Sequence, residues 1–248
     1  VLRGPASSFY GNASGGVIQL NTLEDFEDNF VRLRLQSGSY SSKNLAATVG
    51  WKKKKTKVVL YQNLTESNGY REHSQYKQQV FNARLWHDFS DRSKIRWQFN
   101  YTHSPFAFDP GGINIASVEE NREQARLQNK NYQTYETVDH LKTGLQWEKQ
   151  FSDKLTWDSY AFYAHRDFVG RLPFAYGGYV DLKRNYYGLG STLEFEPQIN
   201  HRMQLRLSIA DQKDHRQRFQ NLNGSPGDNT LDQEELFFNT ALSFLDEI

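Results

Sequence analysis

Residues 1–22 read VLRGPASSFYGNASGGVIQLNT, and the interpretation of the whole chain depends on this stretch. Arg3-Gly4-Pro5 and Tyr10-Gly11 lie a few residues before the glycine pair Gly15-Gly16, and an apolar run begins directly afterwards at Val17. Paired glycines followed by a β-branched run are typical of a tight turn that leads into a strand, because glycine accepts the positive φ angles of such turns. The residue types alone would also suit a glycine-rich hairpin of a soluble β protein.

The spacing within this stretch resembles a known sequence pattern. Residues 1–18 are similar to the last segment of the plug domain of TonB-dependent outer-membrane receptors. Twelve of these 18 positions match the family: Val1, Leu2, Arg3, Gly4, Pro5, Ser8, Tyr10, Gly11, Gly15, Gly16, Val17 and Ile18. A glycine pair alone would be weak support for this resemblance, whereas twelve matches are specific.

The resemblance implies both a fold and a function. The fold is all-β: a transmembrane antiparallel β-barrel preceded by the C-terminal end of a plug. Residues 1–28 would form the plug end with its linker, and residues 29–248 the first part of the barrel, about ten of the family's twenty-two strands. The implied function is TonB-dependent uptake of a scarce nutrient, most often a ferric siderophore, across the bacterial outer membrane. The TonB-contacting segment would lie upstream, the partners would include outer-membrane lipid, and the protein is expected to be a monomer.

The overall composition excludes several other classes. A net charge of +1 over 248 residues gives no basic surface for nucleic acid, so no nucleic-acid partner is expected. No run of 18 apolar residues predicts a transmembrane helix, and the mean hydropathy is −0.80. A β-barrel is compatible with these values because half of each strand faces a polar lumen. The aromatic content of 15% suits the girdles of such a barrel.

No motif predicts an enzyme or a resident metal. The chain has no cysteine, its seven histidines show no H-x-x-x-H spacing, and neither a G-x-S-x-G motif nor a P-loop is present. We therefore expect no catalytic residue, no metal site and no cofactor.

Alternation of apolar and polar residues predicts about ten strands. The pattern is clearest where Ile95, Trp97, Phe99 and Tyr101 alternate with polar residues. The predicted segments are 31–36, 45–51, 57–64, 81–86, 95–102, 140–147, 155–166, 187–195, 203–209 and 238–244.

The predicted connections alternate between short and long. Short connections are 52–55, 89–93, 151–154 and 197–202, and long ones are 65–76, 104–134, 170–181 and 216–232. Segregation of this kind is typical of outer-membrane barrels, with short periplasmic turns and long outer loops, and a soluble sandwich gives no reason for it. The first outer connection would then be residues 38–43.

The longest predicted loop, residues 104–134, contains a possible helix. Ser117 could cap a helix over residues 118–129, with Glu120 completing a capping box. The loop could gather ligand or could simply be a solvated surface helix with internal ion pairs.

Arginine and aromatic residues concentrate in the predicted outer loops. Bulky anionic iron chelates can be bound by such groups through charge and stacking. The candidate substrate-binding residues are Tyr70, Arg71, His73, Arg166, Arg171, Tyr176 and Arg216. In the plug motif, Arg3, Gly4, Pro5, Tyr10, Gly11, Gly15 and Gly16 are candidates for packing against the polar barrel lumen, with Arg3 in an ion pair.

Two other classes of function remain open at this point. A passive porin or small structural outer-membrane barrel would lack the Arg3-Gly4-Pro5 and Gly15-Gly16 segment. A secreted carbohydrate-binding β domain would need no apolar belt of strands. The run Lys52-Lys53-Lys54-Lys55 is best interpreted as a solvated or headgroup-contacting turn rather than as a nucleic-acid patch.

Overall fold

A computed structural model of the chain describes residues 2–3, 15–18, 26–198 and 200–247. Its dominant feature is a single antiparallel sheet of ten strands, in which each strand pairs with the strand that follows it in the sequence. A second sheet pairs two short strands, β1 (Leu2–Arg3) and β2 (Gly16–Val17). The described part of the chain is therefore a meander built from hairpins, as the alternating pattern predicts.

The ten strands lengthen from the start of the sheet to its end, from 9 residues in β3 to 23 in β12. Their bounds are β3 Phe30–Gly38, β4 Ser42–Lys53, β5 Thr56–Ser67, β6 Tyr76–Ser90, β7 Ser93–Phe108, β8 Tyr135–Ser152, β9 Leu155–Arg171, β10 Tyr179–Gln198, β11 His201–Leu222 and β12 Ser225–Glu247. About 9–11 residues suffice to cross a bilayer as a tilted strand, so the later strands are long enough to extend well beyond one.

The strand registers place residues of opposite character on the two faces of this sheet. One face, here called the apolar face, carries in register Leu45 and Leu64, Leu85 and Trp97, Leu145 and Ala161, Leu189 and Ile209, and Leu207 and Leu242. The opposite face, here called the polar face, carries Arg32, Arg34, Arg84, Arg96 and Glu194.

The sheet has no second layer packed against its apolar face. Among the described residues, the only hydrophobic side chains that are buried are Ala83 and Ala125. Large apolar residues stay uncovered, with Leu33 70% and Leu242 72% exposed. A sheet normally buries its apolar face against another element. An uncovered face across ten strands is the arrangement expected of a barrel wall in contact with lipid.

The two ends of the sheet differ in their connections. At one end, called the short-turn end, β4–β5, β6–β7, β8–β9 and β10–β11 are joined by two-residue connections. At the other, called the loop end, the connections are residues 39–41, 68–75, 109–134, 172–178 and 223–224. Three of the five loop-end connections, residues 68–75, 109–134 and 172–178, are long as predicted, whereas residues 39–41 and 223–224 form short connections.

The prediction of a long loop over residues 216–232 is wrong. Strands β11 and β12 continue to a tight hairpin at Asn223 and Gly224, whose φ angles are 52° and 97°. Asn-Gly is a strong signal for a two-residue hairpin. The alternation of apolar and polar residues is lost here because both faces of the projecting hairpin are polar.

The helix of the longest loop also differs from the prediction. The helical region is divided into α1 (Ile115–Asn121) and α2 (Leu127–Asn131), and neither helix starts at Ser117. The cap is Asn114, whose side-chain oxygen accepts a hydrogen bond from the Ser117 amide at 2.9 Å. Asparagine caps helices as well as serine does, so the start moves by one turn.

Polar contacts hold the loop of residues 109–134 together. Asn129 and Thr134 are each only 1% exposed. The Asn129 amide and the Thr134 hydroxyl donate hydrogen bonds to the carbonyl of Asp109, at 3.2 and 2.6 Å. Buried polar groups paired in this way fix a loop in one arrangement.

Within the described residues, no helix has the length and apolar character that a membrane span requires.

Gly111 and Gly112 provide a matched test of this loop. Gly111 has a φ of 66°, and a Cβ there would lie 2.4 Å from the Asn129 side-chain oxygen, whereas a Cβ on Gly112 meets nothing within 4 Å. We expect Gly111→Ala to destabilise the folded loop by about 1–2 kcal/mol or more, because the left-handed conformation alone costs that much. Gly112→Ala should leave it unchanged. Hydrogen exchange of the amides of residues 109–134 measures both, and equal exchange in the two variants would contradict this account.

Candidate functional site

A row of basic residues crosses the polar face near the loop end. His140 on β8 lies directly opposite Arg166 on β9, and Arg166 lies directly opposite Arg184 on β10. Lys142 lies one step along β8 on the same face, because every second residue of a strand faces the same side. His140, Lys142, Arg166 and Arg184 are here called the cationic wall.

Electrostatic repulsion within the cationic wall is only partly relieved. Like charges directly opposite one another on neighbouring strands destabilise a sheet. Asp214, 1% exposed, accepts hydrogen bonds from the Arg184 guanidinium at 2.8 and 2.5 Å. Among the residues that the structure describes, no carboxylate lies within 4 Å of Lys142 or Arg166. The positive charges of Lys142 and Arg166 are therefore available for neutralisation by an anionic ligand.

Aromatic side chains lie beside these cations. Phe162 and Tyr186 make an edge-to-face contact at 4.9 Å, and the Arg166 guanidinium lies 5.0 Å from the centre of the Phe168 ring. A cavity of about 470 Å³ is lined by the cationic wall together with Gln98, Asn100, Phe162, Tyr186 and Gln212. A site of this size with cations, amides and rings can hold a compact anionic ligand that has planar aromatic groups.

The three candidates on the β5–β6 connection lie away from the cationic wall, and two of them, Arg71 and His73, contact the long loop. Arg71 donates hydrogen bonds to the carbonyls of Gly111 at 2.6 Å and of Gln124 at 2.8 and 3.0 Å. Tyr70 packs edge-on against Tyr40 at 5.6 Å. Arg71 therefore uses its guanidinium to anchor residues 109–134, and its contact with a substrate stays a prediction.

His73 also anchors the long loop. Its Nε2 lies 2.8 Å from the carbonyl oxygen of Thr134, and its ring packs against Phe108 at 4.8 Å. Burial lowers the pKa of His73 below its ordinary value of 6.5, and the nearby Lys130 lowers it further, while the hydrogen bond to Thr134 and the charge of Asp109 oppose this shift. The folded loop therefore favours the neutral imidazole.

The remaining candidates are spread over three places. Arg166 belongs to the cationic wall, and Arg216 shares the polar face, with its guanidinium 3.5 Å from the Glu235 carboxylate. Arg171 is stacked over the Tyr135 ring at 4.0 Å and belongs to the opposite face, where Tyr179 lies next to it. Tyr176, in the connection of residues 172–178, is 75% exposed. These side chains do not form one cluster, and their contacts with substrate stay predictions.

Reasoning from the sequence missed most of the cationic wall. The sequence-based candidates do not include His140, Lys142 or Arg184, because these residues lie in strands and the candidates come mainly from loops. A signal was present, since His140 and Lys142 occupy the polar positions of an alternating segment. The sequence does not indicate the strand register that brings β8, β9 and β10 together.

Most of the predicted plug motif lies outside the described residues, including Gly4, Pro5, Tyr10 and Gly11. The described part of it pairs Arg3 with Gly16 and Leu2 with Val17 in the two-stranded sheet. Within the described residues, no group of three or more His, Cys, Asp or Glu side chains could hold a metal ion.

The docking of the long loop should depend on pH through His73. Because the folded loop lowers the pKa of this imidazole, the undocked loop binds more protons, and docking weakens as pH falls below about 6.5. We expect amides of residues 109–134 to exchange faster at pH 5.5 than at pH 7.5 after correction for intrinsic rates. His73→Gln keeps a side-chain donor for Thr134 and cannot titrate, so it should abolish the difference. An unchanged pH dependence in that variant would assign the effect to another group.

Comparison with known proteins supports the fold. No family model matches the sequence. The structure is similar to the ferric-catecholate import receptor Fiu of E. coli K12 in its open form, with a TM-score of 0.73 and 11% identity over 98% of this chain and 46% of that one. It is similar to the siderophore receptor PiuA of Acinetobacter baumannii, with a TM-score of 0.71 and 12% identity over 98% of this chain and 44% of that one. It is also similar to the copper transporter OprC, with a TM-score of 0.68 and 12% identity over 97% and 38%.

The chain thus spans less than half the length of each of these proteins. All three are described as receptors or transporters. The described part of the chain has the fold of part of the β-barrel of siderophore and metal receptors, and the resemblance to TonB-dependent receptors is confirmed at the level of the fold.

Proposed function

We propose that the chain forms part of the barrel wall of a bacterial outer-membrane receptor that takes up a scarce nutrient, a ferric siderophore. The observation that carries the proposal is a one-layer sheet whose uncovered face is apolar and whose opposite face holds the cationic wall in a cavity of about 470 Å³. The first face suits lipid and the second suits an anionic chelate. Of the proteins with a similar fold, Fiu is described as a ferric-catecholate import receptor and PiuA as a siderophore receptor.

The proposal includes the division of the chain and its energy source. Residues 1–28 would be the end of a plug with its linker, and residues 29–248 the first part of the barrel. In support, the Lys52 side-chain nitrogen donates to the carbonyl of Phe26 at 3.4 Å, and the Lys52 amide donates to the Asn29 side chain at 2.6 Å. Both contacts tie residues 26–29 to the short-turn end of β4.

Energy for uptake would come from the TonB complex, which would act on a segment upstream of Val1.

The wider protein offers a first test. Sequencing the DNA on both sides should reveal a signal peptide, a TonB-contacting segment and the rest of a plug upstream, with about twelve further alternating strands downstream. A start codon just before Val1 and a stop codon just after Ile248 would favour a small barrel instead.

The apolar face should behave as a lipid-facing surface. Leu207 is on the apolar face and 44% exposed, and its neighbour Ser208 is on the polar face. We expect Leu207→Arg to destabilise the protein in liposomes by about 2–4 kcal/mol, because arginine near the bilayer midplane costs that much. Ser208→Arg should cost much less. Urea unfolding in liposomes measures both, and a smaller cost for Leu207→Arg would argue against a membrane-embedded wall.

The cationic wall should select anionic chelates. We expect ferric citrate or a ferric tris-catecholate to bind more tightly than a neutral ferric trihydroxamate of similar size. Lys142→Gln and Arg166→Gln should each weaken anion binding by roughly tenfold or more, as hydrogen bonds to charged groups contribute about 1.5–3 kcal/mol. Lys183→Gln, on the apolar face, is the control. Equilibrium binding to the reconstituted protein measures these affinities, and equal binding of charged and neutral chelates would contradict the assignment.

A further inference from the structure

The connection between β4 and β5 concentrates positive charge at the short-turn end. Residues 52–55 are four consecutive lysines, here called the lysine turn, and all four are exposed. Alternation along β4 places Lys52 on the polar face and Lys53 on the apolar face, one step beyond Trp51. The two faces of the sheet therefore meet different members of the lysine turn.

Lys52 is engaged by the segment that precedes the barrel. Its amide donates to the Asn29 side chain, and its side-chain nitrogen donates to the carbonyl of Phe26. This segment contains the carboxylates Glu27 and Asp28, so it could in principle neutralise the lysine turn. The contacts that the structure records, however, are with Lys52 on the polar face, and Lys53 lies on the other side of the strand.

Several other cations at this end have partners. Arg92 pairs with Asp153 at 2.6 Å, the Lys154 side chain donates to the carbonyl of Pro197 at 2.8 Å, and Lys55 lies 3.6 Å from Asp91. By contrast, no carboxylate of the described residues lies within 4 Å of Lys53 or Lys54. Lys53 and Lys54 are therefore two adjacent cations without a carboxylate partner among the described residues.

Lys54 occupies a backbone conformation that does not suit lysine. Its φ is 51°, in the left-handed region that favours glycine and asparagine. The β10–β11 turn at the same end places Asn200 in that conformation, with a φ of 67°. A local conformational cost that a different residue would avoid points to a use for the residue that is present.

Aromatic residues place the lysine turn at the level of lipid headgroups. Trp51, Phe89 and Phe151 lie at the short-turn end and are 43%, 60% and 56% exposed. Aromatic girdles of this kind mark the interface between hydrocarbon and headgroups. Lys53 follows Trp51 on the same face, one step farther from the middle of the strand.

We propose that Lys53 and Lys54 bind the phosphate of anionic phospholipid headgroups in the leaflet at the short-turn end. The inference rests on the membrane placement under the proposed function. Lysines near an anionic membrane surface are attracted to it by about 1 kcal/mol each, or about fivefold in affinity. Two adjacent lysines beside an aromatic girdle therefore give this end of the wall a preference for anionic over zwitterionic lipid.

Tryptophan quenching by brominated lipids tests the preference, because Trp51 lies two residues from Lys53. The full chain is reconstituted with brominated phosphatidylglycerol or brominated phosphatidylcholine. We expect the tryptophans to be quenched by both, with a preference for phosphatidylglycerol at low salt that falls by about fivefold for each lysine removed in Lys53→Gln and Lys54→Gln. High salt should reduce the preference in the wild-type chain. Lys183→Gln, at the loop end of the apolar face, should leave it unchanged.

A second variant separates lipid binding from folding. Lys54→Asn removes the charge and supplies a residue suited to the left-handed conformation, so the fold should be at least as stable while the lipid preference falls. If neither lipid quenches the tryptophans, the proposed membrane placement fails. If both quench equally in the wild-type chain, or if the preference survives Lys53→Gln with Lys54→Asn, the lysine turn does not bind headgroups. A preference that appears only after Glu27→Gln with Asp28→Asn would show that the preceding segment occupies the lysines instead.

Discussion

The structure depends on one constraint: ten consecutive strands form a single layer, and no element in the described part of the chain covers the apolar face. Neighbouring strands of this sheet satisfy each other's backbone polar groups without a second layer, apart from the outer edges of β3 and β12. The apolar side chains, by contrast, are not buried, and Leu33 and Leu242 remain mostly exposed. Such a sheet is stable only where its surroundings are themselves apolar, which is why a lipid bilayer explains the composition and a soluble sandwich does not.

The loop end is held together by polar contacts because it has no apolar core. Arg71 binds backbone carbonyls of the long loop, and buried Asn129 closes that loop on Asp109. Asn221, 1% exposed, donates to the carbonyls of Tyr132 and Leu172 and thereby joins the end of β11 to two of the loop-end connections. These bonds are directional, so the loops adopt a defined arrangement above the wall. Arginine in a loop is therefore as readily a scaffold as a ligand contact.

The cationic wall illustrates how a site can be held at a cost to the sheet. Arg166 and Arg184 lie directly opposite each other, which opposes strand pairing. Asp214 offsets half of this repulsion by binding Arg184, and it is buried while doing so. The remaining positive charge on Arg166 and Lys142 has no such partner among the described residues. An anionic ligand would relieve the repulsion, so binding and stability should reinforce each other.

The sequence alone determined the strands, their number and the two-sided character of the sheet, because alternation is a local property that each strand carries by itself. It failed where alternation disappears: the hairpin at Asn223 and Gly224 projects beyond the apolar belt, so neither of its faces needs apolar residues. The predicted cap at Ser117 is also wrong: Asn114 caps α1 instead, and several nearby residue types can serve as a cap. Only the tertiary structure decided which cations meet. His140, Arg166 and Arg184 are far apart in sequence, and they become neighbours through the register of three strands, which depends on pairing along their whole length.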